Sequence, residues 1–145
     1  MILLGYHAMS DTEGALLSHT MSPHFHYYYN DVEHGEIGLD AAMAGECGKP
    51  VIMVSGCDHA CAEAKRFLPW VTTCVTKKAL GYEQALLPAA DKGYALLRQK
   101  TIEACHHIAA CRPYVITPPI RARVEIPDRP VREGMINSAF NILGL

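Results

Sequence analysis

The amino-terminal part of the chain alternates short apolar runs with polar segments. Residues 1–7 are mostly apolar and end at His7, which predicts a buried strand with a polar side chain at its end. Residues 8–14 are polar and typical of a turn. The aromatic run at residues 24–29 predicts a second strand, because aromatic side chains favour a pleated surface.

The second strand is predicted to have two different faces and to continue into a hairpin. Asn30-Asp31 is a typical turn pair, which would return the chain through residues 32–34 as the second arm of that hairpin. Side chains alternate across a strand, so one face is expected to carry His24, His26 and Tyr28, and the other Phe25, Tyr27 and Tyr29.

From Glu36 onwards the apolar positions follow helical spacing, and Gly45 and Gly48 predict the end of that helix. Residues 50–56 form an apolar run rich in β-branched side chains that ends in glycine. Such a run predicts a strand covered on both of its faces, as in a parallel sheet between helices.

The remaining elements continue this alternation of strand and helix. Asp58 is suited to cap a helix that runs to about Leu68. The later pattern predicts strands at residues 71–75, 114–116 and 120–126, and a long helix within residues 89–110. The alternation favours an α/β fold, with a layered, largely parallel sheet flanked by helices. We expect residues 1–145 to form a single α/β domain.

Composition narrows the function classes. Half of the residues are hydrophobic, 19% are charged and the formal net charge is -2, so no broad positive field favours nucleic acid as a partner. No apolar run approaches the roughly 20 residues of a membrane span, and the amino terminus lacks the pattern of a signal peptide. We therefore expect a cytoplasmic protein, whose six cysteines remain reduced.

The histidines indicate where the chemistry lies, since five of the eight fall within the first 34 residues. His7 ends an apolar strand, His19 is a polar residue in an apolar setting, and Glu36 starts a predicted helix. Two imidazoles and a carboxylate suit zinc. Their spacing matches no short helical metal motif, so for any one histidine a hydrogen-bonded structural role is the simpler interpretation.

Several strings, taken together, change this weighting. They are Leu4-Gly5-Tyr6-His7-Ala8, Ser18-His19-Thr20-Met21 and Gly35-Glu36-Ile37-Gly38-Leu39-Asp40-Ala41. Residues 51–58 and Glu63-Ala64-Lys65 then follow the pattern of an apolar strand, a turn and a helix, and residues 71–77 end in a lysine. In this order they resemble the zinc-dependent D-aminopeptidase family of peptidases, over about residues 2–112.

The resemblance implies a function and roles for three residues. Members of the family bind two zinc ions and cleave the amino-terminal residue from short peptides that contain D-amino acids. By this resemblance His7 and Glu36 are expected to ligate zinc, and His19 to be a non-ligand histidine that assists catalysis. The resemblance also implies a homo-oligomeric ring whose sites face an internal chamber.

The resemblance further implies that part of the family's metal site lies upstream of the matching segment. Family members carry an Asp-x-Glu-Gly motif on an early strand, and another ligating histidine before the segment that begins here. The chain is therefore expected to be an incomplete version of the family fold, a fragment of a longer D-aminopeptidase-like protein. Asp11-Thr12-Glu13-Gly14 has the same spelling, but it falls in a loop between the His7 and His19 strings. We interpret it as unrelated to the metal.

Three functional hypotheses stay open at this point. The first is a metal-dependent aminopeptidase or a fragment of one, and the second is a non-catalytic truncated homologue that keeps the fold and oligomer contacts. The third is a cysteine-based hydrolase or redox protein, since Cys57, His59 and Cys61 form a Cys-x-His-x-Cys pattern where the family has its Gly-Asp-Asp turn. Burial as small hydrophobic side chains is the simpler interpretation of both cysteines.

Overall fold

The computed structural model describes residues 1–145. Three helices are formed by α1 (Glu36–Glu46), α2 (Asp58–Phe67) and α3 (Ala90–His106). Eight strands are formed by β1 (Ile2–Tyr6), β2 (His26–Tyr29), β3 (Val32–His34), β4 (Met53–Cys57), β5 (Thr72–Gly81), β6 (Gln84–Leu86), β7 (Ile120–Glu125) and β8 (Arg132–Ile136). Two short 3-10 helices cover Ile108–Ala110 and Ala139–Gly144.

The strands form two sheets. The first has the order β1-β4-β5-β6, in which β1, β4 and β5 are parallel and β6 runs antiparallel to β5. The second has the order β3-β2-β7-β8 and is antiparallel throughout. The predicted α/β fold, with a largely parallel sheet flanked by helices, is therefore confirmed. The second sheet was not predicted as a separate layer.

Helices cover both faces of the parallel sheet, and for this reason every residue of β4 is buried. Val54 packs on one face in a core shared with α1 and α2. Met53 packs on the other face with Cys74 of β5 and Ala104 of α3. The prediction that this strand is covered on both sides is thus confirmed, and it follows from successive side chains pointing to opposite faces.

Helix α1 lies between the two sheets and contributes to two cores. Ile37 and Ala41 pack with the parallel sheet and α2. Leu39 and Ala42 pack with the antiparallel sheet and with the carboxy-terminal 3-10 helix. Because opposite sides of α1 are held by different sheets, the helix has little freedom to shift against either one. Its first residue, Glu36, is correspondingly well placed.

The hairpin predicted around Asn30-Asp31 is confirmed, with Tyr29 paired to Val32 across the turn. Both turn residues have positive φ, 49° and 64°, as a tight two-residue hairpin turn requires. Tyr27 and Tyr29 share one face, as predicted, and this face packs in the core. The predicted strand starts too early, however, because His24 has a φ of 61° and cannot extend the strand.

Two further predictions were inaccurate. Helix α2 is capped by Cys57 rather than Asp58, since the Cys57 Sγ accepts a hydrogen bond of 3.3 Å from the Ala60 amide. Residues 114–116 do not form a strand, because the backbone of Tyr114 packs against Gly45 of α1 instead of a neighbouring strand. None of the helices is both long and apolar enough to cross a membrane.

Candidate metal centre

Three side chains from separate parts of the chain meet at one end of the parallel sheet. The Nε2 atom of His7 lies 3.4 Å from Glu36 Oε2, and the Nε2 atom of His19 lies 3.8 Å from Glu36 Oε1. The two imidazoles stack with ring centroids 3.6 Å apart. One ligand atom from each of these residues falls within 4.8 Å of the others. We call this group the His7–His19–Glu36 centre.

His7 follows β1 directly and leaves the sheet at the carboxyl end of that strand. The strand departs from regular pairing there, with a register shift after Leu3 and a φ of 83° at Gly5. The Gly5 amide donates a 3.0 Å hydrogen bond to the Ser55 hydroxyl of β4. Gly56 of β4 allows this close approach, because a Cβ there would collide with the Tyr6 carbonyl. The end of β1 is thereby fixed just before His7.

His19 lies in the loop between β1 and β2, which several hydrogen bonds close on itself. The His19 amide donates a 3.2 Å hydrogen bond to the carbonyl of Ala8, the residue next to His7. Leu17 has a φ of 47°, and its amide donates a 2.8 Å hydrogen bond to the Tyr82 carbonyl in the β5–β6 turn. The loop therefore brings His19 back to the carboxyl end of β1, although twelve positions separate it from His7 in sequence.

Glu36 is the first residue of α1, where the unpaired amides and the helix dipole favour a negative charge. Its Oε1 accepts a 2.8 Å hydrogen bond from the Met21 amide, which ties the loop carrying His19 to the helix. The preceding residue, Gly35, adopts an extended conformation with φ -77° and ψ -178° and offers no side-chain cap. Glu36 thus connects the loop, the helix and both imidazoles.

The protonation of the two imidazoles leaves a suitable donor set for a metal. His7 Nδ1 lies 3.1 Å from the Ala8 carbonyl, and His19 Nδ1 lies 2.7 Å from the Leu17 carbonyl. A carbonyl only accepts hydrogen bonds, so each Nδ1 carries a proton, and in the neutral ring the Nε2 lone pair is free for a metal. Histidine ligands of zinc are commonly oriented in this way. Imidazole nitrogen and carboxylate oxygen are both ligands that zinc accepts.

The centre is electrostatically coupled even without a metal. Burial alone would lower the pKa of His7, but hydrogen bonding to Glu36 and Ala8, with the negative charges of Glu36 and Glu63, outweighs it, and the pKa is raised. Hydrogen bonding to His7 is the main reason that the pKa of Glu36 is lowered, aided by the Met21 amide. The side chains are 20%, 33% and 22% exposed for His7, His19 and Glu36, so solvent and small ligands reach the centre.

Two polar groups near the centre, Asp40 and Glu63, lie within the strings that carry the resemblance but received no role from the sequence. The Tyr6 hydroxyl donates a hydrogen bond to Asp40 of α1, and burial is the main reason that the pKa of Asp40 is raised. Glu63 of α2 is only 8% exposed, and its Oε2 accepts a 2.7 Å hydrogen bond from the Met9 amide. Glu63 lies three residues after Ala60 and four before Phe67, so helical spacing places it on the buried face.

Asp11 of the Asp-x-Glu-Gly string does not join the centre. Its carboxylate lies 2.7 Å from His24 Nδ1 and 3.1 Å from His26 Nε2, away from His7 and His19, and Glu13 is exposed. His26 in turn lies 2.6 Å from Glu33. The interpretation of this string as unrelated to the metal agrees with that geometry.

Cys57 and Cys61 lack the features of reactive thiols. Cys57 and Cys61 are buried, and burial is the main reason that the pKa of the Cys61 thiol rises to about 11. A nucleophilic or redox-active thiol needs the opposite shift. His59 instead lies 3.2 Å from Asp58 at the start of α2. The geometry therefore gives no support to the cysteine-based hypothesis.

The fold and the centre together define a class: an α/β protein with a histidine–carboxylate group suited to a metal at the carboxyl end of a parallel strand. Comparison with known proteins identifies the family. The D-aminopeptidase family matches residues 1–134, so the chain belongs to the D-aminopeptidase family of peptidases.

Two relatives support the assignment. A D-aminopeptidase of Bacillus subtilis (strain 168) is 37% identical over 131 residues, covering 90% of this chain and 44% of the relative. A solved structure, described as the Zn-dependent D-aminopeptidase DppA from Bacillus subtilis, a self-compartmentalizing protease, matches with a TM-score of 0.90 and 26% identity. That match covers 99% of this chain and 59% of DppA, so the chain spans about half the length of the relatives it matches.

Proposed function

We propose that this chain carries part of the zinc centre of a metallo-aminopeptidase, with His7 and Glu36 as zinc ligands and His19 as the catalytic helper. The observation that carries the proposal is the convergence of these three side chains, with ligand atoms within 4.8 Å of one another, from a strand end, a loop and a helix start. Membership of the D-aminopeptidase family and the zinc dependence stated for DppA support the choice of metal.

Zinc bound at such a centre would polarise a peptide carbonyl and lower the pKa of a bound water. The contribution of this chain is to hold and orient the site. The Ala8 carbonyl keeps the His7 Nδ1 proton in place, so that Nε2 is available as a ligand. The hydrogen bond from the Met21 amide fixes the orientation of the Glu36 carboxylate.

His19 is the group best placed to move a proton. Its Nδ1 proton is held by the Leu17 carbonyl, and its Nε2 faces Glu36 at 3.8 Å, the longer of the two imidazole–carboxylate distances. It is also the most exposed of the three, at 33%. A solvent-accessible imidazole next to the proposed zinc ligands is suited to general acid–base catalysis.

Further proposals transfer properties of the family and of DppA to this protein. We propose that the substrates are short peptides with an amino-terminal D-residue, that the working form binds two zinc ions, and that it is a cytoplasmic homo-oligomer. The description of DppA as self-compartmentalizing supports the oligomer. We also propose that residues 1–145 form one α/β domain that works together with further ligands of a longer D-aminopeptidase-like protein.

A non-catalytic homologue that keeps the fold and oligomer contacts is the second candidate, favoured by Cys57, a buried residue that caps α2 at the position of the family's Gly-Asp-Asp turn. A catalytic zinc site has three protein ligands and an open position, and a structural site has four. His7 and Glu36 therefore supply part of either kind of site. The two candidates differ on turnover, which only the aminopeptidase predicts.

One pair of measurements tests these candidates. Zinc binding to the 145-residue chain is measured by calorimetry for wild type, His7→Ala and the exposed control His24→Ala, and release of D-alanine from D-alanyl dipeptides is then assayed. We expect zinc binding that is lost in His7→Ala alone, and the absence of such binding would refute the proposal. Zinc-dependent release that is lost in His19→Ala would support the aminopeptidase, whereas binding without release would support the non-catalytic homologue.

A further inference from the structure

Glu63 is the most unusual buried group outside the centre. It is a carboxylate on α2 with 8% of its surface exposed, and burial raises its pKa to about 7. One oxygen accepts the Met9 amide at 2.7 Å, while the other, Oε1, is buried with no hydrogen-bond partner. A buried carboxyl with an unpaired oxygen is costly to keep, so its position calls for a physical reason.

The contacts of Glu63 join the two chain segments that carry His7 and Glu36. Met9, whose amide it accepts, comes two residues after His7. Gly35, immediately before Glu36, packs so closely against it that an added Cβ would lie 2.6 Å from the Met9 Cβ and closer still to Glu63 Oε1. Glu63, Met9 and Gly35 therefore fill one tightly packed volume directly beside the centre.

The junction adds a direct side-chain contact between segments that follow strands of different sheets. His7 follows β1 of the parallel sheet, whereas Glu36 follows β3 of the antiparallel sheet through Gly35. No strand ladder joins β1 to β3, so backbone pairing does not set the distance between the two side chains. The side chain of Glu63 contacts both segments at once.

We propose that Glu63 is a positioning residue that fixes the separation of His7 and Glu36 through the Met9 amide and the Gly35 contact. Its effect on zinc affinity rests on the ligand roles proposed for His7 and Glu36, whereas its effect on their separation does not. Outer-shell partners of metal ligands commonly change metal affinity by about 10- to 100-fold when they are replaced. Glu63 is expected to act within this range.

Two variants perturb the junction from opposite sides. Glu63→Leu has a similar size but removes the acceptor for the Met9 amide. Gly35→Ala keeps that acceptor but forces Glu63 away, and its extended backbone tolerates a Cβ. Glu63→Gln is the conservative rescue, since its amide oxygen still accepts from Met9. Val71→Ala is the stability control. Val71 is buried immediately before β5, at the end of the parallel sheet opposite to the end that carries His7.

Two readouts are taken on the full chain. The first is the zinc dissociation constant from competition with a chelator. The second is the nuclear Overhauser effect between the His7 ring and the Glu36 side chain in metal-free protein. We expect Glu63→Leu and Gly35→Ala to weaken zinc binding by about 10-fold or more and to lose the Overhauser effect. The zinc dissociation constant of Glu63→Gln should stay within about 3-fold of the wild-type value, below the 10- to 100-fold range. Val71→Ala should retain both zinc binding and the Overhauser effect.

The alternatives give different results. If Glu63→Leu and Gly35→Ala weaken zinc binding no more than Val71→Ala and keep the Overhauser effect, Glu63 only fills the core and the inference is overturned. If Glu63→Gln is as weak as Glu63→Leu, the hydrogen-bond argument is overturned. If wild type itself binds no zinc, the proposed function fails, while the Overhauser comparison still decides whether Glu63 sets the separation.

Discussion

Replacing Gly45 by alanine tests the placement of α1, the helix that begins with Glu36. Gly45 is buried in α1 against the backbone of Tyr114. A Cβ at this position would lie 2.6 Å from the Tyr114 carbonyl carbon and closer still to its oxygen, where real Cβ atoms keep at least 3.0 Å. Either α1 or the Tyr114 segment must therefore move.

The expected magnitude follows from two opposing effects. Alanine in a helix is favoured over glycine by about 1 kcal/mol. Overpacking a core costs about 1–3 kcal/mol, and the upper end applies here because the colliding atoms are backbone and cannot rotate away. The net loss of unfolding free energy should be about 2 kcal/mol. A shift of α1 also moves Glu36, so zinc affinity should fall together with stability.

The assay is urea denaturation followed by circular dichroism, with Gly93→Ala as the matched control. Gly93 lies in the first turns of α3, and a Cβ there would meet its nearest neighbour, Pro88, at an ordinary 3.6 Å. The same substitution should therefore stabilise the chain by up to about 1 kcal/mol at Gly93. If Gly45→Ala were equally stabilising, the close packing of α1 against Tyr114 would be refuted, together with the account of how Glu36 is held.

Three other predictions concern the centre and its surroundings. Glu36→Gln should weaken zinc binding by more than about 10-fold in calorimetry. Glu33 pairs with His26 instead, so Glu33→Gln should leave zinc binding unchanged. Zinc affinity should rise with pH through a value above 6.5, since the pKa of His7 is raised and its proton competes for Nε2; a flat profile would contradict this. Cys57→Ala should cost about 1 kcal/mol of stability by removing the α2 cap, while Cys57→Ser should retain the cap, and neither should change zinc affinity.

The coupling of His7 and Glu36 also predicts how the metal-free chain responds to pH. The raised pKa of His7 gives stability that is present below 6.5 and lost as pH rises through the folded-state pKa. The lowered pKa of Glu36 gives stability that is present above 4.5 and lost as pH falls through its folded-state pKa. The stability difference between wild type and His7→Gln should therefore be largest between pH 4.5 and 6.5.

Elements with strong local signals were predictable from the sequence. The buried strand β4, the helix that starts at Glu36 and the hairpin at Asn30-Asp31 follow from apolar runs, helical spacing and turn residues. Strand β8 contains Glu133 and Gly134 and is mostly exposed, so its apolar pattern was too weak to predict. Its place is set by pairing with β7, a long-range contact that local propensity does not contain.

The residues of the candidate centre were predictable from the sequence, but the contacts that hold them in place were not. His7, His19 and Glu36 stood out through the resemblance, and their convergence could not be deduced from spacing, because it depends on how a loop folds back to β1. Glu63 has a helical signal for burial, but nothing in the sequence indicates that it meets Met9 and Gly35. Such contacts across two sheets exist only in the folded chain.

The position of α1 between the two sheets has a consequence for folding. In a chain with only the parallel sheet folded, His7 would be in place but Glu36 would not be fixed. In a chain with only the antiparallel sheet folded, His7 would not be fixed. A ligand that needs both side chains therefore selects the fully assembled state. At 100 times its dissociation constant it would add about 2.7 kcal/mol to the stability of that state alone. Metal availability during synthesis would then influence how much of the chain completes its folding.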